Sequence, residues 1–144
     1  MELLKVARVP AIVAAPDMSV LNAAILMSED VVRAVVITSR EKQVLGIFTE
    51  HDNLIRVTCR LLDPKTTLLS EVMTAPVQTA FAETTVEEGL AIMTRHHCRH
   101  LPIVDCDRRI VGLVSLRHLL LRRIGEKQAD LEVLAAYLTA GGPG

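Results

Sequence analysis

The sequence has very few aromatic side chains and almost no net charge. It has no tryptophan, one tyrosine and two phenylalanines among 144 residues, although 50% of the residues are hydrophobic. The core must therefore be aliphatic, and this composition excludes a disordered or fibrous chain. Sixteen basic residues are balanced by 17 acidic ones, so the overall charge does not favour nucleic acid or an anionic membrane as a partner. So many apolar residues in so short a chain favour self-association.

Cysteine is also scarce, and its spacing matches no disulfide framework. The three cysteines, Cys59, Cys98 and Cys106, are an odd number and form no CxxC pair, which is typical of reduced thiols in the cytosol. A short apolar stretch near the N-terminus is broken by Pro10 and Pro16, and no uncharged segment is long enough to span a bilayer. The sequence therefore predicts a cytoplasmic protein.

An internal repeat organises the chain. Similar residues recur at an offset of 66 positions, without a gap through each half. Glycine, proline and hydroxyl residues coincide with the apolar pattern, so two copies of one supersecondary unit are the simplest explanation. The matching pairs include Pro10 and Pro76, Met27 and Met93, Arg33 and Arg99, Ile37 and Ile103, Gly46 and Gly112, and Thr49 and Ser115.

Each copy predicts the element order β-α-β-β-α. A short extended segment precedes a helix that begins at Ser19 in the first copy and at Thr84 or Thr85 in the second. Two β-branched runs around a charged turn then predict a hairpin, and a second helix begins at Thr49 or Ser115. The predicted strands are residues 11–15, 34–38 and 44–48 in the first copy, and 77–81, 101–104 and 110–114 in the second.

One such unit is too small to bury its own sheet, so the copies should pack on each other as a pseudo-two-fold pair of α/β (α+β) class. We expect repeats at residues 1–60 and 73–124, a linker with a short helix at 61–72, and a C-terminal helix and tail at 125–144. The last helix, predicted over residues 126–138, carries Leu131, Leu134 and Leu138 on one face, which its own chain or a partner subunit must cover.

This order, with GIFTEHD in the first copy and RHLPIVD followed by GLVS in the second, resembles the CBS (cystathionine β-synthase) domain pair, or Bateman module. The likeness covers about residues 11–124, and the closing helix looks like that of small stand-alone bacterial members. The resemblance implies a regulatory sensor for an adenosyl ligand such as AMP, ADP, ATP or S-adenosylmethionine. It also implies a ligand cleft between the two domains, a homodimer formed through the helices, and an unidentified regulated protein.

The motif that the resemblance transfers is a glycine, two apolar residues, a hydroxyl residue and, three positions later, an acid. A hydroxyl beside free N–H groups at a helix start suits a phosphate oxygen, and a carboxylate one turn later can accept two hydrogen bonds from a ribose. The first copy thus assigns Thr49 to phosphate and Asp52 to ribose. The same spacing is also that of a helix capping box.

The second copy departs from this pattern. Ser115 keeps the hydroxyl, but His118 stands at the acid position. Neutral histidine accepts only one hydrogen bond, and protonated histidine is a donor that prefers phosphate. The second site is therefore expected to be weak, empty or suited to a more anionic ligand.

Other candidate ligand contacts lie upstream of the motifs. The family often places threonine in the first extended segment, beside the base; Thr79 fits this, whereas the first copy has Val13. Backbone groups of residues 12–14 could hydrogen-bond to an adenine edge. Phe81 is expected in the core, and stacking on the base is the alternative. The remaining candidates are Ile12 and Ala14 for the base, and Arg33, His51, Arg99, His100 and Arg117 for phosphate.

The sequence contains His96, His97, Cys98 and His100 close together, but side chains of adjacent residues diverge and cannot all face one metal ion. No P-loop, GxSxG motif or oriented Cys–His pair indicates an enzyme. The leading prediction is a non-catalytic nucleotide sensor without a catalytic cofactor. The alternative is a degenerate CBS-fold interaction protein without a nucleotide ligand, and a metal sensor is a remote third.

Overall fold

The computed structural model describes residues 1–126 together with Ala135 and Leu138. The helix predicted over residues 126–138 and the tail after it lie almost entirely outside this range. Among the described residues, no helix is both long and apolar enough to cross a membrane.

Two three-stranded sheets form, one in each repeat. In each sheet the first strand is parallel to the second, and the second is antiparallel to the third. The strands are β1 (Val13–Ala14), β2 (Ala34–Thr38) and β3 (Val44–Thr49), then β4 (Ala80–Phe81), β5 (His100–Val104) and β6 (Ile110–Ser115). The predicted hairpins are confirmed, whereas the first strand of each sheet is only two residues long.

The helices occupy the predicted positions. A 3-10 turn at Leu3–Val6 begins the chain, and a π-helical turn at Asn53–Thr58 directly follows α2. The α-helices are α1 (Val20–Asp30), α2 (Glu50–Asp52), α3 (Leu69–Val72), α4 (Val86–His96) and α5 (Leu116–Glu126).

Side-chain caps explain where α1 and α4 begin. Ser19 accepts a hydrogen bond from the Asn22 N–H, and Thr85 accepts one from the Glu88 N–H, as N-cap residues do. Thr85 rather than Thr84 is therefore the cap of the second copy. Both helices end at a residue in the left-handed region, Val31 with φ 53° and His97 with φ 54°.

The two hydrophobic cores are aliphatic, as predicted, with Phe48 fully buried in the first. Phe81 is 45% exposed, so its expected placement in the core is wrong; it lies at the end of the short strand β4.

The cores are completed by crossed packing. Leu69 and Val72 of α3, which precedes the second repeat, pack into the core of the first. Leu3 and Val6 of the N-terminal turn pack into the core of the second. These two segments are themselves related by the 66-residue offset, so each repeat is closed by the segment that precedes the other. The N-terminal residues thus pack on the second repeat, although the predicted boundary counts them with the first.

The repeats also contact each other directly. Val36 and Ile47 from the first sheet form a buried cluster with Leu113 from the second. At the hairpin turns, the Ile110 N–H donates to the Lys42 carbonyl at 2.9 Å, and the Gln43 side chain donates to the Asp107 carbonyl at 3.0 Å. The predicted pairing of the two repeats is confirmed.

Candidate functional site

A cleft of about 570 Å³ lies between the two repeats, and we call it the open cleft. Its walls come from the N-terminal segment, the start of β2, the start of β5, and the junction of β6 with α5. The lining residues are Val6, Ala7, Arg8, Val31, Val32, Arg33, Ala34, His100, Leu113, Ser115, Arg117, His118 and Leu121.

Backbone pairing with β6 places Arg8 at this cleft. The Arg8 N–H donates to the Leu113 carbonyl at 2.9 Å, and the Leu113 N–H donates to the Arg8 carbonyl at 3.1 Å. The glycine of the second motif permits this approach, because a Cβ at Gly112 would lie 3.0 Å from the Arg8 carbonyl oxygen. Gly112 therefore helps to hold a cationic residue at the cleft.

The second motif turns from strand into helix at the cleft wall. Ser115 is the last residue of β6, and its Oγ accepts a hydrogen bond from the His118 N–H at 3.1 Å. The Leu116 N–H donates to the Arg99 carbonyl at 2.8 Å. This turn leaves the side chains of Arg117 and His118 exposed at the cleft.

His100 lines the open cleft where β5 begins, and pairs in register with Ser115. Burial, with smaller contributions from the charges of Arg33 and Arg99, lowers the pKa of His100 from 6.5 to about 4, against an opposing effect of Asp52. His100 is therefore neutral at physiological pH and adds a polar group but no charge to the cleft.

The first motif forms a complete capping box. Thr49 Oγ1 accepts a hydrogen bond from the Asp52 N–H at 3.1 Å, and the Thr49 N–H donates to Asp52 Oδ2 at 3.0 Å. Thr49 Oγ1 also donates to the same carboxylate oxygen at 3.1 Å. The structural role that the Thr49–Asp52 spacing allows is thus present.

The second oxygen of Asp52 has partners as well. Thr74 Oγ1 donates to Asp52 Oδ1 at 3.1 Å, and Arg56 Nε lies 3.8 Å from the same oxygen. Arg56 Nη1 donates to the carbonyls of Met73 at 2.8 Å and Val72 at 3.3 Å. We call Thr49, Asp52, Arg56 and residues 72–74 the Asp52 site. A ribose would have to displace some of these hydrogen bonds, and the assignment of Asp52 to ribose stays a prediction.

The open cleft and the Asp52 site occupy corresponding places in the two repeats. Thr74 pairs with Ile47 through hydrogen bonds of 2.8 and 3.0 Å, as Arg8 pairs with Leu113. Thr74 and Arg8 are 66 residues apart. The chemistry of the two places differs, because Thr74 and Asp52 bond to each other in one, whereas Arg8 and His118 line the other.

The structure brings together some of the predicted ligand residues and separates others. Arg33, His100, Ser115, Arg117 and His118 line the open cleft. The others lie elsewhere: Thr49 and Asp52 in the Asp52 site, His51 between them on α2, Arg99 just before β5, and Thr79 just before β4. Val13 and Ala14 form β1, and the Ile12 carbonyl accepts the Val36 N–H at 3.0 Å. Neither Thr79 nor Val13 is among the lining residues of the open cleft.

Sequence reasoning missed several residues of the open cleft and of the Asp52 site, above all Arg8, Arg56 and Thr74. Extending the 66-residue comparison upstream of Pro10 would have paired Leu3 with Leu69 and Val6 with Val72. That match indicates that the N-terminal segment has the same role as the segment before the second repeat.

The described residues contain no group of three or more histidine, cysteine or acidic side chains arranged to hold a metal ion. His96 and His97 of the sequence cluster are exposed. Burial raises the pKa of the Cys98 thiol, which favours its protonated form.

Comparison with known sequences shows to which protein family the chain belongs. A sequence model described as the CBS domain matches twice, at residues 5–52 and 69–125. An uncharacterized protein of Methanopyrus kandleri, MK0525, is 30% identical over 116 residues, covering 81% of this chain and 59% of that protein. The inosine-5′-monophosphate dehydrogenase of Methanocaldococcus jannaschii is 30% identical over 112 residues, covering 78% of this chain and 21% of the enzyme. This chain therefore spans only part of the length of both relatives.

Solved structures agree in fold. The CBS domain structure of NE2398 superposes with a TM-score of 0.77 at 29% identity, covering 86% of this chain and 98% of that one. The CBS domain pair of MJ0100, in complex with 5′-methylthioadenosine and S-adenosyl-L-methionine, gives a TM-score of 0.80 at 23% identity, covering 88% and 98% of the two chains.

Proposed function

The chain belongs to the CBS domain family, and we propose that it is a non-catalytic regulatory module that binds an adenosyl ligand in the cleft between its two repeats. Binding would change the relative arrangement of the repeats and pass that change to a partner protein or across a homodimer. A ligand shifts such an equilibrium only by its different affinities for the two arrangements.

The observation that carries this proposal is the composition of the open cleft. Ligand pockets of a few hundred Å³ typically combine an apolar wall with a few placed polar groups. Here Val31, Leu113 and Leu121 offer aliphatic surface to a planar base, and Ser115 offers a hydroxyl at a helix start. The adenosyl compounds bound to the CBS pair of MJ0100 support the choice of ligand class.

Both repeats contribute to the walls of the open cleft, which supports a regulatory role. Arg33 and Ala34 come from the first repeat, whereas Ser115 and His118 come from the second. A ligand that contacts both sides would stabilise one arrangement of the pair. The apolar cluster of Val36, Ile47 and Leu113 lies at the same boundary and would transmit the change.

The first experiment is thermal unfolding of nucleotide-free protein with millimolar AMP, ADP, ATP, S-adenosylmethionine or NAD. A ligand at a hundred times its dissociation constant stabilises by roughly 2.7 kcal/mol, a visible shift for a domain of this size. We expect a shift with at least one ligand, weakened by Arg117→Ala. The matched control is Arg40→Ala, which removes an exposed arginine at the opposite end of β2 from Arg33.

A second candidate function is an interaction protein without a nucleotide ligand. Its support is the apolar surface of the first repeat, where Leu61 is 92%, Leu54 54% and Ile25 45% exposed. If no ligand shifts the melting temperature, sedimentation of the purified chain decides next: a dimer broken by Leu61→Glu would support an assembly role through this surface.

A further inference from the structure

The open cleft concentrates positive charge, although the net charge of the chain is close to zero. Arg8, Arg33 and Arg117 line it, and its lining includes no aspartate or glutamate, although the formal charge of the whole chain is −1. Glu50 lies nearby, 3.9 Å from Arg33 Nε, but both side chains of this pair are about half exposed, at 41% and 50%. Glu50 therefore offsets part of the charge of Arg33, and Arg8 and Arg117 are the cations of the cleft that this pair does not involve.

The cleft also lacks the acceptor that would favour a ribose. His118 stands where the first repeat has Asp52, 66 residues earlier. Its backbone N–H donates a hydrogen bond to Ser115 Oγ. A histidine side chain cannot accept hydrogen bonds from both hydroxyls of a ribose, as a carboxylate can. Recognition in this cleft therefore has to depend on other parts of the ligand.

We propose that the open cleft selects its ligand by the phosphate groups, and so takes nucleoside di- and triphosphates in preference to adenosine or S-adenosylmethionine. The inference rests on the proposed function and names its ligand class. Guanidinium groups bind phosphate through charge-assisted, often bidentate hydrogen bonds. S-adenosylmethionine carries a sulfonium and a net positive charge, which the same arginines repel.

The positions of the charged and apolar groups give the ligand an orientation. Arg117 and His118 lie in the first turn of α5, after Ser115, and Arg8 lies on the N-terminal segment that pairs with Leu113 of β6. Val31 and Leu121 are exposed aliphatic residues on the same cleft. The phosphates therefore lie between Arg8 and Arg117, and the base lies against the aliphatic side chains.

Titration calorimetry with adenosine, AMP, ADP, ATP, S-adenosylmethionine and inorganic tripolyphosphate tests the inference. We expect affinity to rise with each phosphate, so that ATP binds at least about a hundredfold more tightly than adenosine. Arg117→Ala should weaken ATP binding about tenfold or more, whereas Arg40→Ala should leave it unchanged. His118→Asp should weaken ATP binding and strengthen adenosine binding, because it adds a negative charge and a ribose acceptor.

The outcomes separate this inference from the proposed function. If adenosine or S-adenosylmethionine binds as tightly as ATP, the phosphate selection is refuted while the adenosyl sensor stands. If tripolyphosphate binds and no adenosyl compound binds more tightly, the anion cleft stands and the adenosyl function fails. If none of the compounds binds, or if Arg117→Ala and Arg40→Ala bind ATP alike, the inference fails.

Discussion

At the scale of single residues, His100 shows how burial controls charge. It lines the open cleft at the boundary of the repeats, and burial, together with the charges of Arg33 and Arg99, lowers its pKa from 6.5 to about 4. A histidine in such a place stabilises the fold only while it is neutral. Stability should therefore depend on pH in the range between these two values.

The first prediction is a loss of stability in acid. Above pH 6.5, His100 is neutral in both states, so its contribution is fully present; as the pH falls towards 4, the unfolded chain takes up a proton that the folded chain does not. The free energy of unfolding should drop by about 3 kcal/mol from this group. Urea unfolding of His100→Asn between pH 7 and pH 4 should lack this part of the decline. The control His96→Asn, at an exposed position, should retain it; equal slopes in the two variants would contradict the assignment.

Arg56 is the second residue whose role follows from its partners. It lies 3.8 Å from a carboxylate that is 5% exposed, and it donates to two backbone carbonyls. Removing one partner of a buried charge leaves the other unpaired, which costs more than the pair itself contributes.

We therefore predict that Arg56→Ala lowers the free energy of unfolding by about 2 kcal/mol. The matched control is Arg122→Ala, because Arg122 lies 66 residues later and is exposed on α5; it should change stability by less than about 0.5 kcal/mol. Chemical denaturation measures both. Equal effects would mean that the contacts of Arg56 in the Asp52 site do not stabilise the fold.

At the scale of elements, the apolar periodicity and the positions of glycine, proline and capping residues predicted most of the helices and strands. Capping residues such as Ser19 and Thr85 are local signals, so the starts of these helices could be predicted from the sequence. The crossed packing was not, because Leu3 and Leu69 bury themselves in cores formed by residues distant in sequence. The same holds for the candidate site: the motif located Ser115 and His118, whereas Arg8 reaches the open cleft through its pairing with Leu113, and Arg56 bonds to the distant carbonyls of Val72 and Met73.

The motif glycines give a prediction at this scale. A Cβ at Gly46 would lie 2.5 Å from Met73 Sδ and 2.9 Å from the Thr74 carbonyl, and a Cβ at Gly112 would lie 3.0 Å from the Arg8 carbonyl. Alanine at position 46 would push the backbone of Thr74 away from β3, and alanine at position 112 would shift the Arg8 carbonyl away from β6 by a smaller amount. We expect each substitution to cost about 1–3 kcal/mol in the free energy of unfolding, with Gly46→Ala the larger.

Gly112→Ala should have a further effect that Gly46→Ala lacks. Displacing the Arg8 backbone from β6 moves one cation of the open cleft, so ATP affinity should fall in calorimetry at a temperature where both variants are folded. A Gly112→Ala protein that binds ATP like the unchanged chain would show that the position of Arg8 does not matter for the ligand.

At the scale of the whole molecule, two copies of one unit have become chemically different. The duplication places a glycine, a hydroxyl residue and a backbone-paired segment at corresponding positions. In the first repeat, however, the Asp52 carboxylate already has Thr74 and Arg56 as partners. In the second repeat, Arg8, Arg117 and His118 surround an open volume of about 570 Å³. Sequence symmetry therefore predicts two ligand places, whereas the contacts favour one.

The last prediction is a stoichiometry of one ligand per chain. A ligand entering the Asp52 site must replace three hydrogen bonds to a carboxylate that is 5% exposed and displace Arg56 from two carbonyls, whereas the open cleft requires no such exchange. Calorimetry with ATP should give one site, which Arg117→Ala weakens and Asp52→Asn leaves at the same affinity once its lower stability is taken into account. Two sites of similar affinity, or a single site lost in Asp52→Asn and kept in Arg117→Ala, would place the ligand in the first repeat and make the capping box a ribose site. With one site per chain, the two corresponding sites differ in role: the Asp52 site is closed by its own hydrogen bonds, and the open cleft, which both repeats line, binds the ligand.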